Sequence, residues 1–177
     1  MGIQVGAKPD SGFDDPIGML TDCHRRIESF LRVLCVVADR ARGRALTGEE
    51  ADAVQAALHY FRVGGQRHTA DEEESLFPRL RRESSANDVA DLTGLESDHE
   101  HADQLHHTVE GLFLTWITDG SLNSDEEGRL HEATEELRRL YEEHIRVEEQ
   151  EVFPRASRLL DRNSIVQIGE EFRARRA

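Results

Sequence analysis

Four long segments of the chain carry core-type residues at alternating steps of three and four positions. This spacing places one continuous stripe along the face of an α-helix. The four stripes are Ile17, Leu20, His24, Ile27, Leu31, Leu34, Ala38; Val54, Leu58, Phe61, Gly65, His68, Glu72, Leu76; Leu92, Leu95, His99, Ala102, His106, Val109, Phe113, Trp116; and Leu130, Thr134, Leu137, Tyr141, His144, Glu148, Val152. The pattern predicts four helices that bury these stripes against one another.

Local signals suggest where the helices start. Asp14-Asp15-Pro16 predicts a cap followed by proline in the first turn, and two Ser/Thr-x-x-Glu boxes predict later starts. These boxes are Thr47 with Glu50 and Ser124 with Glu127, while Ser164 would cap a short tail helix. Thr93-x-x-Glu96 offers an alternative, later start for the third helix.

Breaks are expected at 42–48, at 84–88 and at Gly120. Four helices of about 27 to 36 residues with short connections predict an all-α, antiparallel up-and-down four-helix bundle with a short C-terminal helix. We expect a disordered N-terminal lead over 1–13, the bundle over 14–162 and the tail helix over 163–177.

Charge and composition exclude several classes of protein. The net charge of −14 argues against binding to nucleic acid or to an anionic membrane. No apolar run approaches the roughly 20 residues of a membrane span, and the N-terminus lacks the pattern of a secretory signal. Cys23 and Cys35 would lie about 18 Å apart on one helix. We therefore expect two free thiols and a cytoplasmic protein.

Polar residues interrupt the stripes in a repeated arrangement. HTADEEESLFPR, residues 68–79, matches HIRVEEQEVFPR, residues 144–155, and His24 maps onto His99 at an offset of 75. Each half of the chain thus supplies one stripe histidine and one His-x3-Glu pair, whose side chains share a helix face. Two halves related by a pseudo-twofold axis would bring four imidazoles and two carboxylates together inside the bundle.

Such a cluster requires compensation, because unpaired buried charge costs several kcal/mol. Two di- or trivalent cations would remove that cost if the carboxylates bridged them and each cation took two imidazoles. A solvent-derived bridge and an open coordination position would remain. Mixed nitrogen and oxygen ligation suits iron, while manganese, zinc or cobalt also fit.

At residues 14–160 the chain resembles the hemerythrin-like (HHE cation-binding) proteins. The resemblance is carried by DPIGMLTDCHRRIESFL, RHTADEEESLFPRL, LESDHEHADQLH and EHIRVEEQEVFPRA. It implies two iron ions, oxo- or hydroxo-bridged, with manganese or zinc as substitutes. The metal ligands that it implies are His24, His68, Glu72, His99, His144 and Glu148.

Two departures from the oxygen-carrying members of this family argue against reversible oxygen transport. Asp103 stands where those proteins have a fifth histidine, and the last carboxylate is Glu148 at i+4 instead of an aspartate at i+5. The ligand set is more similar to bacterial iron-centre repair proteins and to iron-sensing hemerythrin domains. The repair proteins usually add a Cys-containing N-terminal domain, for which 23 residues before His24 leave no room.

Residues around the cluster have two interpretations each. His106 would line a pocket or be a satisfied core histidine, and Tyr141 opposite Gly65 would border a small cavity or be ordinary core. Glu28 and Asp103 would orient ligand imidazoles or form surface ion pairs. The remaining assignments are that Cys23 is packed, that Pro78 and Pro154 end or kink their helices, and that Glu73, Glu149, His59, His101, His107 and His131 lie at the surface.

Three functions remain open on the sequence. The first is a non-haem di-iron protein that binds, senses or reacts with a small oxidant or gas, namely dioxygen, peroxide or nitric oxide. If it is an enzyme, it would be a di-iron oxidoreductase that consumes peroxide or nitric oxide. The alternatives are iron storage, delivery or iron-centre repair, and a metal-stabilised interaction bundle without redox activity.

Overall fold

The computed structural model describes residues 10–83 and 86–177, which form helices and connections without any β-strand. Helix α1 is Pro16–Arg40, α3 is Ala86–Asp119 and α5 is Arg162–Ala174. Helix α2 runs through Gly48–Tyr60, Phe61–Gly65, Gln66–Ala70, Asp71–Leu76 and Phe77–Glu83. Helix α4 runs through Ser124–Val147, Glu148–Val152 and Phe153–Leu159. Within the described chain, no helix combines the length and apolar character needed to cross a bilayer.

The long helices form the predicted all-α bundle, and their order in it is antiparallel. Helices α1 and α3 each pack against α2 and α4. One apolar cluster joins Leu20 at the start of α1 to Leu80 at the end of α2. Another joins Ala41, just after α1, to Val54 at the start of α2. Successive helices therefore run in opposite directions.

Two apolar clusters enclose the polar layer of the stripe. The first, which we call the upper core, includes Leu34, Leu58, Val109, Trp116 and Leu137. The second, the lower core, includes Leu20, Leu76, Phe77, Leu95, Val152, Phe153 and Phe172. Along each long helix the stripe histidines and glutamates other than His106 fall between members of these two clusters. The short helix α5 covers the lower core through Ile168 and Phe172.

Several predicted helix ends are confirmed. Asp15 caps α1 with Pro16 behind it, and Thr47 and Glu50 form the expected capping box of α2. Gly120, with φ of 79°, ends α3.

Other predicted ends are wrong by one to three positions. The capping box of α4 uses Asn123 and Glu126 instead of Ser124 and Glu127, and Asp161 instead of Ser164 caps α5. Asn and Asp are equally good caps, so their place one to three residues earlier is compatible with the same local rule. Helix α3 already includes 86–88, so it has no later start at Thr93, and the remainder of the expected 84–88 break lies outside the described residues.

The expected disordered lead differs from the structure at residues 10–13. The Ser11 backbone N–H donates to Asp22, and the Phe13 ring packs on the lower core beneath the guanidinium of Arg173. The partly buried Phe13 ring thus attaches these residues to the bundle. Residues 1–9 of the predicted lead lie outside the described residues.

Three short segments of α2 and α4 are π-helical, with one extra residue in the turn: Phe61–Gly65, Asp71–Leu76 and Glu148–Val152. The last two directly precede Phe77-Pro78 and Phe153-Pro154. A proline ring clashes with the carbonyl four residues earlier in a regular α-helix, and a wider turn removes that clash. The helices therefore continue past Pro78 and Pro154, where we had expected them to end or kink.

Candidate metal centre

Six side chains from all four long helices meet in the polar layer. They are His24 from α1, His68 and Glu72 from α2, His99 from α3, and His144 and Glu148 from α4. His24, Glu72 and Glu148 have no solvent exposure, and the most exposed of the six side chains, that of His99, is 8% exposed. The set brought together is the one that the resemblance implied.

The six residues divide into two groups that share both glutamates. Position 1 is formed by His24, His68, Glu72 and Glu148, and position 2 by His99, His144, Glu72 and Glu148. Within each group, the candidate ligand atoms lie within 4.8 Å of one another. Each position therefore offers two imidazoles and two shared carboxylates.

The glutamates lie between the two positions. Glu72 places Oε1 3.3 Å from Nε2 of His68 and Oε2 3.3 Å from Nε2 of His99. Glu148 places Oε2 3.1 Å from Nε2 of His24 and 3.4 Å from Nε2 of His144. Each carboxylate thus faces one histidine from each position, as a bridging ligand would.

Several buried polar atoms at the centre of the cluster lack hydrogen-bond partners and could therefore bind a cation. Both carboxylate oxygens of Glu72 and of Glu148, together with Nε2 of His24, are buried and make no hydrogen bond to any described residue. Leaving a buried polar atom without a partner costs about 1–3 kcal/mol, and more for a charged group. Five such atoms pointing at one small volume fit cation ligation and do not fit a hydrogen-bonded core.

The repeated Phe-Pro motif supports the ligands from outside. The Phe153 ring stacks on the imidazole of His24 with centroids 5.4 Å apart, and the Phe77 ring stacks on His99 at 6.3 Å. Each phenylalanine follows the π-helical turn that contains a bridging glutamate. The motif therefore fixes a carboxylate on one helix and an imidazole on another.

Acidic residues next to the bridging glutamates bind the outer nitrogens of the histidines. Glu73 Oε1 lies 2.8 Å from Nδ1 of His99, and Glu149 Oε1 lies 3.0 Å from Nδ1 of His24. Both glutamates are partly exposed, Glu73 at 35% and Glu149 at 26%, as expected of surface residues, but their contacts with the histidines were not predicted. Each of them directly follows a shared glutamate in a π-helical segment, Glu73 in Asp71–Leu76 and Glu149 in Glu148–Val152.

The environment of the cluster shifts its titration strongly. Burial raises the pKa of Glu72 well above its usual range, and the nearby Glu148 carboxylate adds to the rise. Burial also disfavours the charge of Glu148, but His144 and His24 outweigh it and hold its pKa well below the usual range. Burial lowers the pKa of His68 and of His99.

At His144 burial opposes the positive charge, yet Glu148 and Asp98 raise the pKa to about 10. The metal-free cluster therefore holds a proton on His144 at neutral pH. A cation that binds there must displace this proton, so its affinity rises with pH.

A cavity of about 360 Å³ borders the cluster. Its lining includes the ligand candidates His68, His99 and His144, the predicted pocket residues Gly65, Asp103, His106 and Tyr141, and the apolar side chains Ile27, Leu58, Phe61 and Ile145. His106 Nε2 lies 3.0 Å from the Tyr141 hydroxyl. A β-carbon at Gly65 would make only ordinary contact with Phe61, so this glycine is not required for space.

Of the two alternatives for Glu28 and Asp103, the structure shows surface pairs and not contacts with the clustered histidines. Glu28 pairs with Arg25 at the surface, and Asp103 is an exposed residue at the cavity edge that lies 3.5 Å from His107. Their place is taken by Glu73, Glu149 and Asp98, the last at 3.3 Å from Nδ1 of His144. Cys23 is buried as expected, and both cysteines are free.

Asp71 is a buried charge that the sequence pattern did not indicate. Its carboxylate receives hydrogen bonds from Arg175 at 2.8 Å and from Arg176 at 2.6 Å. It precedes Glu72 in the same π-helical turn, so these arginines tie the C-terminal end of the described chain to the ligand segment. Arg-Arg near the C-terminus was visible in the sequence, but only the fold shows its partner.

Comparison with known proteins identifies the family of the chain. The family model described as "Hemerythrin HHE cation binding domain" matches residues 15–156. The chain is also 24% identical over 164 residues to an uncharacterized protein of Haemophilus influenzae, with 93% of this chain and 91% of that protein covered. The matched region contains all six clustered side chains. The chain belongs to the hemerythrin HHE cation-binding domain family.

Proposed function

We propose that the protein holds two iron ions in the polar layer and binds and reacts with a small oxidant, namely dioxygen, peroxide or nitric oxide. One observation carries this proposal: the cavity of about 360 Å³ is lined by His68 from position 1 and by His99 and His144 from position 2. A diatomic or similarly small molecule in this cavity is therefore close to both positions. A metal site with a purely structural role has no need of such a space.

The donor set supports iron as the metal. Each position offers two nitrogen and two carboxylate donors, a mixed set that suits iron and leaves coordination positions free. Two bound iron ions would supply electrons and open positions for binding or reducing the oxidant. The residues themselves would hold the ions and provide hydrogen bonds.

His106 and Tyr141 supply the polar chemistry of the cavity. Burial lowers the pKa of His106 to about 4 and raises that of Tyr141, so both side chains are uncharged at neutral pH. If the neutral imidazole donates its Nε2–H to the Tyr141 oxygen, the phenolic proton is available to a molecule in the cavity. The apolar side chains around this pair keep the number of competing hydrogen-bond partners low.

The first test is metal content and an absorption spectrum of protein produced with iron, followed by rapid mixing with each oxidant. We expect close to two irons per chain, an oxo-bridge charge-transfer band, and a spectral change with at least one oxidant. Folded protein that contains no metal would disprove the di-iron assignment. One zinc per chain would point instead to a structural or misloaded site.

Variants of the cavity pair separate oxidant chemistry from metal binding. Tyr141→Phe and His106→Gln should keep the iron content near wild type while changing the rate or lifetime of the oxidant reaction. Tyr60→Phe and His131→Gln are matched controls, because neither residue lines this cavity, and they should leave the reaction unchanged. Loss of iron in either cavity variant would contradict the ligand assignment.

A further inference from the structure

The Nδ1 atoms of the four clustered histidines, which face away from the centre, differ in their hydrogen-bond partners. Nδ1 of His99 faces Glu73 at 2.8 Å and Nδ1 of His144 faces Asp98 at 3.3 Å, so both imidazoles of position 2 have a carboxylate partner. In position 1, Nδ1 of His24 faces Glu149 at 3.0 Å. Nδ1 of His68, however, is buried and has no hydrogen-bond partner among the described residues.

Comparison of equivalent positions in the two halves of the repeat shows which residues account for this difference. At the offset of 75 that relates His24 to His99, the residue equivalent to Asp98 is Cys23. A thiol is a weak hydrogen-bond acceptor, whereas an ionised carboxylate is a strong one. In the second half of the repeat, Asp98 contacts His144. The first half has Cys23 at the equivalent place, so His68 lacks a corresponding carboxylate partner.

A second substitution acts in the same direction. Arg25 is equivalent to Glu100 at the same offset. The Arg25 guanidinium lies 2.9 Å from Glu149, so the one carboxylate that serves position 1 is shared with a positive charge. Position 2 has an acidic residue at the corresponding place.

A carboxylate that accepts the outer N–H of a ligand imidazole fixes the ring and makes its inner nitrogen a stronger donor. Loss of such a partner typically lowers metal affinity 10- to 100-fold. We propose that the two metal positions are inequivalent, and that position 2 binds its ion more tightly than position 1 because Asp98 and Glu73 support both of its histidines. This inference rests on the proposed metal-binding function and assigns Asp98 as the positioning residue for His144.

The test is equilibrium removal of Fe²⁺ from the fully loaded, full-length protein by graded chelator under anaerobic conditions, with metal per chain as the readout. We expect the wild type to release its two ions in two steps. Shared carboxylates could also separate the steps by repulsion between the ions, so the steps alone do not decide the question. The effect of Asp98→Asn does, because it removes the charge with little change of shape.

Asp98→Asn should weaken the tighter step by about 10- to 100-fold and bring the two steps together. Asp119→Asn, at an exposed site roughly 30 Å along the same helix, should leave both steps unchanged. His68→Ala should retain one ion at the tighter wild-type affinity, whereas the single ion retained by His144→Ala should bind more weakly. Unchanged steps in Asp98→Asn, or the opposite order for the two histidine variants, would overturn the inference.

The two proposals fail in different ways. A wild-type protein that binds no metal would contradict the proposed function itself. A protein that binds two ions whose affinities do not respond to Asp98→Asn would keep that function and contradict only the inequivalence of the positions.

Discussion

The upper core and the polar layer occupy the same helical stripe but are stabilised differently. In the upper core, Leu58, Val109, Trp116 and Leu137 fill the stripe and satisfy one another by apolar contact. Farther along, the same stripe carries the polar layer, where both oxygens of Glu72 and of Glu148 and Nε2 of His24 are buried without a hydrogen-bond partner in the described chain. The two regions have the same helical spacing of inward-facing residues, but the upper core is apolar and the polar layer is not.

This comparison separates what forms the bundle from what completes it. Burial of apolar area gives non-directional stability at about 25 cal/mol per Å², so the upper core needs only side chains that fit. The polar layer carries two carboxylates in a low-dielectric interior, and it gains stability only when their charge is compensated. We therefore expect stability to depend on cations at one level of the stripe and on packing at the other.

Removal of the cations should have the largest effect. Chelation of the loaded protein should lower the free energy of unfolding by about 4 kcal/mol for each position that had been held at a thousand times its Kd. The measurement is urea unfolding of loaded and chelated protein, followed by circular dichroism. Identical unfolding curves would show that the polar layer is stable without cations and would remove the contrast between the two regions.

Truncation in the upper core should give the opposite pattern. Trp116 is 1% exposed, and its Nε1–H donates to the Arg44 carbonyl at 2.9 Å. Trp116→Ala should cost about 3–5 kcal/mol of stability, while metal content per folded chain stays at the wild-type value. Leu114→Ala, at an exposed position of the same helix, should change stability by less than about 0.5 kcal/mol. Metal loss in Trp116→Ala would mean that the two regions are coupled.

Regular periodicity made the bundle predictable from sequence, because each helix repeats one signal many times. Capping residues were less reliable, since Asn123 and Asp161 precede residues that are also good caps. The stripe also identified the six inward-facing side chains, as their spacing survives modest changes in helix geometry. The π-helical turns were not predictable, because they depend on how Pro78 and Pro154 are accommodated in the packed helices.

The contacts that the sequence did not predict involve residues of the π-helical turns. Glu73, Glu149 and Asp71 lie off the stripe of a regular helix and within π-helical turns, yet Glu73 and Glu149 contact the cluster and Asp71 contacts Arg175, just after helix α5. The equivalence of Glu73 and Glu149 in the repeat was visible. Their position one residue after a bridging glutamate, however, indicates solvent unless the turn is known to be widened.

His106 tests the comparison further, because it is a polar residue of the stripe that is not part of the metal cluster. It is a stripe histidine whose contacts are Tyr141 and the Phe61 ring, 4.2 Å away between centroids. Its pKa is about 4 in the folded protein, lowered chiefly by burial, against an ordinary value of 6.5. Between these values the unfolded chain binds a proton that the folded chain does not. The free energy of unfolding should therefore fall as pH decreases from about 6.5 to about 4.

The contribution of this single group should be at most about 3.5 kcal/mol over that range, since each pKa unit corresponds to about 1.4 kcal/mol. It is measured as the difference in pH dependence of urea unfolding between wild type and His106→Gln at matched metal loading, which removes the effects of the other histidines. Tyr141→Phe keeps the imidazole and should retain the wild-type slope. If the stability of wild type and of His106→Gln depended on pH in the same way, the pKa of His106 would be the same in the folded and unfolded protein. A polar side chain could then be buried in this stripe without a cation and without a pKa shift.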